Sequence, residues 1–174
     1  MFLSSNLLTS VPTNITELKK LCRLELPSNQ LKTVPSGIFE LPCLKNLNLS
    51  KNKLTELPKN CTWTSTLKYL NLSDNQLESL PRNVASSKLE NLYLAKNNLY
   101  EVPKCVCKVI TLQSLDLSEN HRLTQLPVQM GRLTNIKNLK LNNLDQVRQM
   151  KADIFLSLSI QTVLSSVNFP RIFY

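Results

Sequence analysis

"LKYLNLSDNQLESLP", residues 67–81, alternates leucines with polar residues, turns at an asparagine and closes on a Leu-Pro pair. The chain returns to this pattern every 22 to 24 residues: "LCRLELPSNQLKTVP" from Leu21, "LKNLNLSKNKLTELP" from Leu44, "LENLYLAKNNLYEVP" from Leu89 and "LQSLDLSENHRLTQLP" from Leu112. A half unit, "FLSSNLLTSVP", precedes them, and a decayed one, "IKNLKLNNLDQV", follows from Ile136. The recurring asparagines are Asn6, Asn29, Asn52, Asn75, Asn97 and Asn120, and six of the nine prolines recur at the matching place. A fixed period in this range decides the fold, because one unit cannot bury its apolar face alone while stacked units share a continuous core.

Each position has a physical role. In "LxxLxLxxNxL" the alternating leucines point to one face of a short strand and the residues between them point to solvent. The asparagine amide both donates and accepts, so it satisfies turn groups that stacking would otherwise leave unpaired. Proline falls on the return arm, where a missing N–H costs little and the preceding residue is held extended. Ile15, Ile38, Val84, Val106 and Met130 are placed to close the far side of the core. The pattern is that of a leucine-rich repeat array. It predicts an α/β solenoid, a curved horseshoe with a parallel β-sheet on the concave face and short 3-10 or extended segments on the convex face. Residues 1–145 form the array, about six repeats with the first partial. Residues 146–174 are either a capping helix, with apolar positions at 144, 147, 150, 154 and 158, or a disordered tail.

The chain has 174 residues and a formal charge of +9. Its basic residues are scattered, with no run beyond Lys19-Lys20, and they lack the clustered stripe with stacking aromatics that a nucleic-acid interface needs. The charge reads as solubility and weak steering. Five cysteines, an odd number, lie at Cys22, Cys43, Cys61, Cys105 and Cys107. Cys61 falls at a convex core position. Val106 is predicted inward, so Cys105 and Cys107 are predicted to face outward as ordinary thiols; C-x-C alone is a weak metal signal. Of the four sequons, at Asn14, Asn48, Asn60 and Asn71, two arise from the "NLS" of the repeat itself. No apolar run reaches membrane-spanning length, and no signal peptide opens the sequence. A reducing, cytoplasmic setting is the expectation.

Two glycines, Gly37 and Gly131, far apart, exclude a phosphate-cradling loop in this stretch. The sole histidine, His121, lies in a turn carrying one extra residue. No catalytic constellation, cofactor site or metal site is read, and the chain is expected to be non-catalytic. The outward strand residues form two columns: Arg23, Asn46, Tyr69, Asn91, Ser114, Asn138, and Glu25, Asn48, Asn71, Tyr93, Asp116, Lys140. The first five members of each column are the expected contact face for a protein partner. Tyr69 and Tyr93 are diagonal neighbours and form its centre, since tyrosine combines area with a polar tip; the alternative is that they pack only on each other. Trp63 is either a second anchor or a cover for the core edge. The array is expected to be a monomer.

The Leu-Pro form of the repeat resembles that of intracellular signalling arrays: Ras-pathway scaffolds, the Scribble/Erbin type and the Roco family of leucine-rich repeat kinases. "LPKNCTWTSTLKYLNLSDNQL" (57–77), with its return-arm Trp, is similar to a repeat of those kinases. "LQSLDLSENHRLTQLPVQMGRLTNIKNLKLNNLD" (112–145) resembles the end of their array. The resemblance implies a regulatory or scaffolding repeat region whose parent protein carries a GTPase domain and a serine/threonine kinase domain. Residues from Gln146 onward match no GTPase start. The alternatives are a free-standing scaffold of small-GTPase or polarity signalling, and a secreted receptor fragment or inhibitor.

Overall fold

The computed structural model describes residues 1–142, so the expected tail lies outside the described residues. Six three-residue strands, β1 (Arg23–Glu25), β2 (Asn46–Asn48), β3 (Tyr69–Asn71), β4 (Asn91–Tyr93), β5 (Ser114–Asp116) and β6 (Asn138–Lys140), form one parallel sheet in sequence order. The register is that of the repeat, with Leu24, Leu47, Leu70, Leu92, Leu115 and Leu139 side by side. The half unit adds a single parallel bridge, Phe2 to Glu25. The fold is the expected leucine-rich repeat solenoid, with the sheet on one side and 3-10 turns on the other.

Those turns are Thr13–Glu17, Ser36–Glu40, Arg82–Ser86, Val106–Lys108 and Val128–Arg132. In four of them the recurring proline stands just before the first turn residue, in extended conformation, where its fixed φ suits the entry. Ile15, Ile38, Val84, Val106 and Met130 are all buried, as their spacing requires. A Cβ on Gly37 would meet the Thr16 methyl at 2.5 Å, so glycine permits the first two turns to pack. The arm from Leu57 to Thr66 has no 3-10 turn. There Trp63, 4% exposed, packs on Phe39 with ring centroids 4.5 Å apart, and the Thr64 N–H donates to the Phe39 carbonyl at 3.1 Å.

The asparagine ladder has a regular bonding pattern. Asn52 donates to the Leu49 and Ser50 carbonyls of its own coil and to Leu26 of the coil before, while its oxygen accepts from the Leu31 N–H. Asn29, Asn75, Asn97 and Asn120 repeat this, and all five are buried. Asn6 is a correction. It bonds only its own turn, to Leu3 and Ser4, and is exposed, without the inter-coil bonds that Asn29 makes to Leu3 and Leu8. The residue before each of the six recurring asparagines, Ser5, Ser28, Lys51, Asp74, Lys96 or Glu119, has φ between 55° and 58°. This left-handed conformation is unfavourable for residues other than glycine, and here the asparagine bonds hold it.

The cysteine expectations need correcting too. Cys105 and Cys107 are buried, at 8% and 1% exposure, on either side of Val106. A 3-10 turn does not alternate faces as a strand does, and Cys107 takes the place that Phe39 fills three coils earlier. Burial pushes both thiols up, Cys107 to about 11 with the neighbouring Cys105 adding to it. Cys61 is only half-buried at the edge of the core, since its arm lacks the 3-10 turn that would carry it inward. Cys22 and Cys43 are exposed.

Candidate functional site

The outer face of the sheet is built by the repeat. Each strand buries its middle leucine and turns its first and third residues outward, so the two columns lie side by side in register. Tyr69 opposes Asn91 and Asn71 opposes Tyr93, which makes the tyrosines diagonal neighbours. Their ring centroids are 5.3 Å apart and tilted by 46°, within the range of favourable aromatic pairs. Both are half-buried. Burial raises the Tyr69 hydroxyl pKa, with Tyr93 as the next contributor, so the phenol stays neutral and available to donate.

The remaining column residues divide by what they already bond. The Asn48 oxygen accepts from the Ser50 N–H and hydroxyl, the Asn71 oxygen from the Ser73 N–H, and an Asp116 oxygen from the Ser118 N–H. These residues close their own turns, a role the sequence reading did not assign; the Asn-x-Ser and Asp-x-Ser spacing carries that signal. Asn46 and Asn91, flanking Tyr69 on either side, make no side-chain hydrogen bond to a described residue. The Lys68 ammonium lies 3.4 Å from Glu90 and that of Lys140 lies 3.9 Å from Asp116. Arg23 is exposed and Glu25 half-buried at the first strand; Ser114 accepts from Asn138 at 3.3 Å.

Trp63 is buried on the opposite side of the array and belongs to the core, so it offers no surface as an anchor. Among the described residues no three His, Cys, Asp or Glu side chains gather as a metal site, and no helix is long and apolar enough to cross a membrane.

Family models described as leucine rich repeat match residues 1–54 and 19–77, and a second leucine-rich repeat model matches 111–133. No curated protein matches the chain. Among solved structures, a leucine-rich repeat protein of Leptospira interrogans is 32% identical, covering 89% of this chain and 45% of its own, with a TM-score of 0.62. A chain of the Toll–Spätzle complex of Drosophila is 29% identical over 88% of this chain and 21% of its own, with a TM-score of 0.76. The leucine-rich repeat domain of the type III effector XopL shares the fold at 21% identity and a TM-score of 0.77, over 94% of this chain and 66% of its own. The chain thus spans less than two thirds of each of these structures. Six registered strands, a five-member buried asparagine ladder and these matches agree, and the chain belongs to the leucine-rich repeat proteins.

Proposed function

We propose that the chain is a non-catalytic protein-binding module of a signalling protein, and that its partner docks on the concave sheet around Tyr69 and Tyr93. Leucine-rich repeat domains generally act as protein–protein interaction modules, and one similar structure comes from a complex named for two proteins, Toll and Spätzle. The observation that carries the site is the tyrosine pair: the only aromatic side chains on the six strands, in contact at 5.3 Å on an otherwise polar face. Aromatic residues supply much of the energy in interface centres. The test is affinity capture from cell extract on the immobilised chain, followed by titration of the captured protein. The double variant Tyr69→Ala, Tyr93→Ala is expected to weaken binding by roughly 2 kcal/mol, about thirtyfold, with an unchanged unfolding transition. Equal affinity for both forms moves the site off this face.

The finer reading places the array in a Roco-type kinase, as a regulatory region ahead of GTPase and kinase domains. The stretches 57–77 and 112–145 support it. The full-length coding sequence decides: a P-loop followed by a kinase domain is the expected result, and neither domain favours a free-standing scaffold. A cytoplasmic setting accompanies this reading. Fractionation of cells expressing the tagged full-length protein checks it, and recovery in the medium would contradict it.

A further inference from the structure

We infer that the partner presents an uncharged, extended peptide segment to the concave face, and that the chain's large positive charge plays no part in recognising it. The inference rests on the concave docking reading above. The chain carries +9, yet the six strands hold two basic residues, Arg23 and Lys140, against two acidic ones, Glu25 and Asp116. The basic excess therefore lies off the strands. Next to the tyrosines Lys68 is matched by Glu90 at 3.4 Å, and Asp116, which opposes Tyr93, by Lys140 at 3.9 Å. What the centre offers is neutral: two phenols, and the amides of Asn46 and Asn91 with no side-chain bond of their own.

An ammonium placed there would lose water beside Asp116, which opposes Tyr93, and Glu90, carboxylates that Lys140 and Lys68 already match, and a carboxylate would meet their like charge; either costs more than the dipoles return. A peptide group meets both needs of a free amide, since it donates and accepts at once. Asn46 and Asn91 lie two strands apart with Tyr69 between them. At about 4.8 Å per strand that separation is roughly 10 Å, the span of about three extended residues at about 3.3 Å each. A side chain in the middle of that span falls over the tilted pair of rings, which favours an aromatic, aliphatic or proline residue. The bound segment is thus held by backbone hydrogen bonds at its two ends and by apolar contact at its centre.

The experiment is selection of a phage-displayed random peptide library on the immobilised chain, with Kd measured for the selected peptides by fluorescence anisotropy. Peptides whose binding falls at least about tenfold in the Tyr69→Ala, Tyr93→Ala form are expected to lack Asp, Glu, Lys and Arg in their shared core. Their Kd is expected to change less than about twofold between about 50 and about 500 mM NaCl. The Asn46→Ala, Asn91→Ala variant is expected to weaken them about tenfold, and Asn46→Asp to do the same by placing a charge in the neutral patch. Tyrosine-dependent peptides that are acidic, or that weaken tenfold or more with salt, overturn the inference and leave the concave site standing. Selection of no tyrosine-dependent peptide overturns both.

Discussion

Asn120 is fully buried, and its amide is shared among the Leu94, Leu117 and Ser118 carbonyls while its oxygen takes the Leu99 N–H. Aspartate could not donate to those carbonyls, and an apolar residue would leave every one of these groups short of a partner. Each buried group left unpaired costs about 1–3 kcal/mol. Asn120→Ala is therefore expected to cost about 3 kcal/mol in urea unfolding, while Asn6→Ala, exposed and bonded only within its own turn, costs less than about 1 kcal/mol. Equal losses at the two positions would show that the ladder is not what holds the coils. The identity of the ladder was legible in the sequence because asparagine recurs in phase with leucine. Two features were not. The exposure of Asn6 depends on a neighbouring coil rather than on its own motif, and the left-handed residue before each asparagine is Ser, Lys, Asp or Glu, never the glycine that would announce such a turn.

At the scale of the return arms, legibility was uneven for a physical reason. Strand alternation assigns every residue a side, and all six strands lie where the leucines placed them. The arms follow no such alternation, so the inward Val106 said nothing reliable about its two neighbours, and both cysteines proved buried. The consequence is measurable. Iodoacetamide at neutral pH is expected to label Cys22 and Cys43 in the folded chain and to spare Cys105 and Cys107, with all five labelled in denaturant. Mass spectrometry of the peptides reads the pattern, and fast labelling of Cys107 would contradict the packing. The raised Cys107 pKa also links to stability. A thiol whose folded pKa is about 11 stays neutral in the fold while the unfolded chain ionises near about 8.5. Its contribution is complete below the unfolded value and is lost as pH rises through the folded one. Stability should therefore decline between about pH 8.5 and 11, and Cys107→Ala should decline less steeply over that window.

Across the whole molecule the two faces differ in what a sequence can say about them. The buried face is dictated by period and burial, so the solenoid follows from the leucines alone. The outer face is free of that constraint; its columns could be listed, but which asparagines were already engaged in turns, as Asn48 and Asn71 are, required the backbone. The N-terminal end of the stack shows the same dependence on neighbours. Leu3 and Leu8 are only partly covered there, Leu18 is 42% exposed, and a pocket of about 320 Å³ opens among Leu3, Leu8, Val11, Ile15, Leu18 and Leu26. In a one-dimensional array, stability is a sum of coil and interface terms, and a coil face left uncovered lacks one interface term. Appending one coil with the "LxxLxLxxNxL" pattern and a polar outer side should cover this pocket and supply Asn6 with the N–H and carbonyl partners that Asn29 already has. Burying two leucine side chains and completing those bonds is worth about 3 kcal/mol or more, which for a chain of this size raises Tm by about 6 °C or more. The control is the same appended segment with its leucines changed to serine, which adds length without an apolar face. A rise with the leucine coil and none with the serine coil, read by differential scanning calorimetry, would place the weakest part of the array at its N-terminal end. Equal Tm for all three forms would place it elsewhere.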